Sequence, residues 1–456
     1  MTPHPDDAHR LVLGLVEELG LSYPDAEALL QTFTLKIVAH DKVATSAAAQ
    51  AALLTAINTG KRCFLGGVKV EITEGVALKV PFAPFLTLNE VIQHLCPDQV
   101  TGGTFTETIH IGNPPSEIGG DEWLVHASGW RGGVTVGRHP IGFESDPLKD
   151  FSLGGVLAGG LAIHHAFLRA AKMSDRLAEP WGFSLWELES DWTKLASDGP
   201  VLDALPNALW VIGLGHLGQA YLWTLALLPY RDPKTCTLLL QDFDRLKTAN
   251  ASAAMLAPKT AAGELKTRIC AEWMFLRGFT HTLISDRRFD ERTIRYAETN
   301  TEEPHIALCG LDNVEGRRHL SRAGFMRVVE CGLGGSASDF DQLRVHTFPN
   351  TSFRSEELWK TPDVEIVNKK RLQALSRKEE VCGVHALESS KVSIASSFVG
   401  AVAASLVIAE VLKIYHGGNQ SEEVDLDLRC QGRLSAKLGS QYARREVATL
   451  GYSECL

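Results

Sequence analysis

From Leu209 onward the hydrophobic positions fall into short continuous runs separated by longer segments of mixed polarity. Residues 209–212, 237–241, 282–285, 306–309 and 327–330 each read as a strand buried on both faces. Between them, 216–228, 264–277 and 314–322 carry helical periodicity. Strands alternating with helices predict a mostly parallel sheet covered by helices, a doubly wound, Rossmann-like α/β domain. After Gly332-Leu333-Gly334-Gly335 the pattern weakens. Residues 350–392 are polar and charged and read as a mobile crossover outside the core. An apolar, alanine-rich helix resumes over 397–415 and ends at Gly417-Gly418, a plausible C-cap.

The first 200 residues give a weaker pattern, with helices expected over 11–19, 25–38, 46–58 and 157–171 and a strand near 68–72. One echo links the halves. Residues 151–158 (Phe-Ser-Leu-Gly-Gly-Val-Leu-Ala) lead into a helix much as Phe398-Val399-Gly400 and the alanines after it do. The expected organisation is a domain at 201–456 preceded by a related α/β domain at 1–200 with a helical N-terminal part. Residues 172–204 would connect the two.

Composition narrows the class. A chain of 456 residues is about three typical domain lengths, and 45% hydrophobic with 22% charged residues suits a globular protein. No run reads as apolar for long enough to span a bilayer, since His164 and His165 interrupt the best one at 152–168. The N-terminus lacks the cationic and apolar regions of a signal peptide, so a cytoplasmic protein is expected. A formal charge of −10 argues against a general nucleic-acid binder. Nine cysteines include no CxxC pair, which disfavours a structural zinc site. The adjacent His164 and His165 face different sides of a helix and do not read as a metal pair.

Candidate chemistry lies between Leu209 and Asp312. Gly213, Gly215 and Gly218 follow a strand and open a helix, the context in which backbone N–H groups cradle phosphate. Asp242 ends the next strand, where a carboxylate reaches ribose hydroxyls; Asp244 supports it or caps the loop. ATP and NAD enzymes share these features. Asn250, Lys266 and Asp312 separate them, because a triphosphate needs a fixed cation and a hard oxygen ligand for magnesium. Each has a plain alternative: Lys266 as a solvated lysine, Asp312 as a cap on the helix after it.

The order GxGxxG, Asp242-Phe243-Asp244, Asn250 eight residues after the first aspartate, Gly263-x-x-Lys266, then Leu311-Asp312-Asn313 resembles the ThiF/MoeB/ubiquitin-activating family. The match is strong over about 205–335 and weaker over 380–415. Gly213, Gly215, Gly218, Asp242, Asn250, Lys266 and Asp312 fall on that family's nucleotide and magnesium positions. The resemblance implies adenylation of the C-terminus of a ubiquitin-like protein with ATP and Mg2+, with the first domain an inactive copy. It also implies a thioester on a cysteine in the crossover, for which Cys382 in Val381-Cys382-Gly383 is the candidate and Cys331 the rival.

The family's arginine three residues after the asparagine is replaced here by Ala253. Arg245, Lys247 or Lys259 would have to substitute. An arginine from the partner half is also implied, with Arg131 the candidate and Arg62 the alternative. The plan is similar to activating enzymes of bacterial ubiquitin-like conjugation systems with antiviral roles. Partners would be a ubiquitin-like modifier and a conjugating enzyme, and the chain would be a monomer of two pseudo-symmetric halves or a homodimer. Three alternatives stay open: a ThiF-type small-molecule, sulfur-carrier or tRNA-modifying adenylating enzyme without a thioester, an NAD-dependent oxidoreductase, and an inactive scaffold.

Overall fold

The computed structural model describes residues 3–173, 180–295, 303–360, 367–376, 383–430, 433–439 and 450–456. Helices α1 (Arg10–Leu19) and α2 (Tyr23–Thr32) precede a first sheet. Its strands are β1 (Thr34–Ala39), β2 (Gly67–Glu71), β3 (Glu107–Ile111), β4 (Trp123–Ser128), β5 (Arg131–Val136) and β6 (Trp181–Ser184). Helices α3 (Ala47–Gly60), α4 (Leu88–Leu95) and α5 (Leu153–Ala170) lie between them in the chain. A short strand β7 (Ala204–Pro206) then leads into β8 (Ala208–Ile212), α6 (His216–Leu227), β9 (Thr237–Gln241), α7 (Lys266–Leu276), β10 (His281–Ser285) and β11 (Ile306–Cys309). The chain continues through α8 (Val314–Arg317), β12 (Arg327–Leu333), β13 (Gln342–Phe348), α9 (Ser355–Leu358), α10 (Lys369–Ser376), α11 (Gly383–Lys391), α12 (Ser397–His416), β14 (Ser421–Asp427), β15 (Leu434–Leu438) and β16 (Tyr452–Glu454).

The first sheet runs β2-β1-β3-β4-β5-β6 and the second β10-β9-β8-β11-β12-β13-β14-β15. Without the outer strands β10 and β15 the two share one plan. Each has four parallel strands followed by two antiparallel ones, in the same spatial order. Strand β1 corresponds to β8, and α3, the next long helix, to α6. The protein is thus two related α/β domains, as the echo between 151–158 and 398–404 suggested.

The halves meet helix to helix. Helices α3 and α5 cover the first sheet, α6 and α12 the second, and α5 packs directly on α12. Small residues set the spacing. Across the junction a Cβ on Gly160 would lie 2.9 Å from the Phe398 carbonyl oxygen, and within the first half one on Gly155 would lie 2.0 Å from that of Ala48. Polar contacts fix the register: Trp223 Nε1 donates to Thr55 Oγ1 at 3.1 Å, and the buried His164 and Arg429 both hold Asp341.

Several expectations change. The helix expected over 25–38 stops at Thr32; the β-branched run after it alternates in burial and becomes β1, a strand inside the first sheet. The connector at 172–204 contains β6, which pairs with β5. The helix expected over 314–322 is α8 followed by a short 3-10 turn, Leu320–Arg322. The crossover at 350–392 is partly a packed element, because Arg371 of α10 is buried against Glu17 at 2.7 Å. Helix α12 is long and apolar enough to cross a membrane by length and composition, contrary to the expectation that no run is; it is buried throughout within the protein.

Gly155→Ala should destabilise the chain by about 1–3 kcal/mol through overpacking of α5 on α3, read as a lower urea midpoint. An unchanged midpoint would contradict this packing.

Candidate functional site

The turn from β8 to α6 assigns each glycine a separate task. Gly213 has φ +80, a conformation that disfavours side chains. Gly218 lies so close to the turn that a Cβ would sit 2.0 Å from the Gly213 oxygen. A Cβ on Gly215 meets nothing within 4 Å. Two glycines therefore build the turn, and the third leaves the N-terminus of α6 open. Among the described residues no side chain caps that terminus, so its N–H groups and the helix dipole favour an anion there.

Asp242 locks the turn from β9. Its Oδ2 accepts from the Leu214 N–H at 2.6 Å and its Oδ1 from the Asp244 N–H at 2.8 Å. Burial pushes its carboxyl above the usual range, opposed by Lys266 and the two N–H donors. Lys266, the first residue of α7, is buried; its Nζ lies 2.8 Å from Asp244 Oδ2 and 3.9 Å from Asp242 Oδ2. Because Asp244 is half exposed, an arriving phosphate can compete for this lysine. Asn250 accepts from the Lys247 N–H at 2.8 Å and so caps its own turn.

Asp312 follows β11 and is exposed. The helix cap it might have supplied comes from its neighbour: Asn313 Oδ1 accepts from the Gly316 N–H at 2.8 Å. Among the described residues Asp312 makes no hydrogen bond or ion pair. It is close enough to act electrostatically on His216, as are Arg10 and Lys266. His216 therefore marks where Asp312, Lys266 and the first half converge. Its imidazole is pushed down to about 4, mainly by burial.

Arg10 has no obvious motif in the sequence. It starts α1, and its N–H donates to Ser252 Oγ at 3.3 Å, on the loop that carries Asn250 and Ala253. Among the described residues its buried Nη1 has no hydrogen-bond partner, and burial lowers its pKa to about 10. The cations expected from the sequence are otherwise committed. Arg131 is buried inside the first domain, where it bonds the Trp192 and Glu144 carbonyls and pairs with Asp198 at 3.1 Å. The structure does not bring it to the glycine turn. Arg62 donates to the carbonyls of Ala251 and Met255, bracing the loop around Ala253. Arg245 is bonded to the Gly263 carbonyl and Lys247 is paired with Asp6. The side chain of Lys259 lies outside the described residues, as does Cys382. Cys331 is buried and its thiol is pushed well up, mainly by burial.

The corresponding position in the first half is filled. The Asp150 carboxylate accepts from the Ala47 and Ala48 N–H groups at 2.6 and 3.3 Å and from Ser46 Oγ at 2.9 Å. An internal anion thus occupies the N-terminus of α3, while its counterpart on α6 stays open.

Two related α/β halves, one with an open glycine turn and one closed, define the class. Residues 34–185 match the family described as BilD N-terminal domain, and residues 205–418 the family described as BilD C-terminal domain. The bacterial E1-like protein BilD of Collimonas sp. (strain OK412) is 37% identical over 417 residues, covering 88% of this chain and 87% of that one. The chain belongs to the BilD family of bacterial E1-like proteins. Among solved structures, E. coli MccB with ATP is 15% identical, with a TM-score of 0.33, over 52% of this chain and 65% of that one. The microcin C7 biosynthetic enzyme MccB with N-formylated MccA is 14% identical, also at 0.33, over 52% and 64%. This chain thus spans less than two thirds of either MccB chain, and agreement at this level carries nothing about chemistry.

The site predicts a titration. The folded chain excludes from His216 a proton that the unfolded chain binds below about 6.5. Its contribution to stability is therefore complete above that pH and is lost as pH falls toward 4, at about 1.4 kcal/mol per pH unit. NMR of the folded protein should find His216 neutral at pH 5.5; a midpoint near the free value would contradict its burial.

Proposed function

We propose that this protein uses ATP and Mg2+ to adenylate the C-terminal carboxylate of a ubiquitin-like protein. The observation that carries the reading is the open N-terminus of α6, with Lys266, Arg10 and the unengaged Asp312 gathered around it. That set suits a polyanion accompanied by a divalent cation. A nicotinamide dinucleotide would use the glycines and Asp242 but has no evident need of Asp312 and Arg10.

In the first step a carboxylate oxygen of the modifier attacks the α-phosphorus; the bond to the bridging oxygen breaks and pyrophosphate leaves. The α6 N–H groups, Lys266 and Arg10 hold the charge that moves onto the leaving group. Mg2+ on Asp312 would neutralise phosphate oxygens when bound. In the second step the Cys382 thiolate attacks the acyl carbonyl, a thioester forms and AMP departs. The role of Cys382 rests on its place in the crossover and on family resemblance. Delivery to a conjugating enzyme in an antiphage system follows from the same resemblance. Asp150 in the corresponding place of the first half supports one working site per chain.

Four substitutions separate the parts. Asp312→Asn should weaken ATP binding by about tenfold or more with Mg2+ and little in EDTA. Gly215→Ala should keep stability within about 0.5 kcal/mol, since nothing lies near its Cβ, yet impair ATP binding. Arg10→Met should slow ATP–pyrophosphate exchange roughly a hundredfold. Cys382→Ala should retain that exchange and lose a thiol-labile modifier adduct. Failure of the native chain to bind ATP, or indifference to Asp312→Asn, would overturn the reading; an adduct that survives Cys382→Ala would move the nucleophile elsewhere.

A further inference from the structure

A cavity of about 1130 Å3 lies between the two halves, and the proposed chemistry makes no use of it. The first half contributes Lys61, Phe85 and His94 to its walls; the second contributes Met255, Trp273 and Arg277. Its volume is slightly above that of common small-molecule sites. Arg277 follows the last residue of α7, whose first residue is Lys266. Eleven helical residues, about 16 Å, therefore separate it from Lys266.

Arg277 is only 5% exposed. Its guanidinium lies between two rings, 4.2 Å from the Phe82 centroid and 4.4 Å from that of Trp273. Among the described residues it makes no hydrogen bond or ion pair, and its Nε is buried without a partner. Two aromatic faces recover only part of what burying an unpaired cation costs. An anion in the cavity would offset the difference.

Two further basic groups share this wall. Lys61 donates to the Leu95 carbonyl at 2.6 Å, and His94 packs on Phe85 with centroids 5.0 Å apart. Lys61 is pushed down to about 8 by burial and then by Arg62; His94 is lowered by burial, then by Arg277 and Lys61. Among the other lining residues Asp7, Asp98 and Glu272 are exposed, as is His94, and Glu27 is half-buried, as is Lys61. Burial is the one cause of the lowered Arg277 pKa, so among the described residues no carboxylate offsets its charge.

We propose that this cavity binds a small organic anion, a carboxylate, sulfonate or phosphate on an aromatic or otherwise apolar body. The anionic group pairs with Arg277, flanked by Lys61 and His94, while Trp273, Phe85 and Met255 enclose the body. Because both halves wall the cavity, its ligand also bridges them. The site is independent of the nucleotide reading and stands if that reading fails.

The test uses two fluorescent probes on the full chain: 8-anilinonaphthalene-1-sulfonate and its uncharged analogue N-phenyl-1-naphthylamine. The sulfonate is expected to bind once per chain, at least about tenfold more tightly than the analogue, a difference of about 1.4 kcal/mol. Arg277→Met should remove that preference and leave the analogue unaffected. Excess ATP with Mg2+ should not displace the sulfonate. Equal binding of the two probes to the native chain would overturn the proposal without recourse to any variant. So would no binding, displacement by ATP, or a charge preference that persists in a folded Arg277→Met chain.

Discussion

Everything at the candidate site depends on how closely two helix pairs can approach. Gly155 lets α5 settle on α3, and Gly160 lets it settle on α12, with main-chain oxygens where side chains would otherwise stand. A larger residue at Gly160 would push α5 off α12 and withdraw the first half from the loop at 248–255. That loop carries Asn250 and Ala253, and it is held from the first half by Arg62, by the Arg10 N–H and by the Asp6 carbonyl, which accepts from the Ala249 N–H. Packing in the middle of the molecule thus sets the geometry at its edge.

The same plan, built twice, has been used unequally. Both sheets run their first four strands in parallel and place a helix after the central strand. In the first half a carboxylate from Asp150 satisfies that helix. In the second half the corresponding N–H groups face open space beside Gly215. An internal anion on one side and room for an external one on the other is a simple way for a duplicated fold to keep one site. The closed half then serves as scaffold and as the source of Arg10.

Legibility in the sequence followed the range of the interactions. The glycine turn, Asp242 and Lys266 were readable because strand, turn and helix place them locally. The parallel core of the second domain was readable for the same reason, its strands being continuous apolar runs. Arg10 was not readable, because its neighbours Ser252 and His216 are more than two hundred residues away. Arg131 was only a candidate for an arginine implied by resemblance; the chain there is β5 and the guanidinium is folded inward onto Asp198. Residues 34–38 were assigned to the preceding helix, since so short an alternating run gives little periodicity of its own. The capping role considered for Asp312 belongs one residue later, to Asn313.

The central claim is that two related halves in one chain make a single ATP site. Isothermal titration calorimetry with ATP and Mg2+, on protein whose subunit composition has been fixed by mass, tests it directly. One ATP bound per chain is expected. Two per chain would mean that Asp150 does not close the first half; none would remove the site itself.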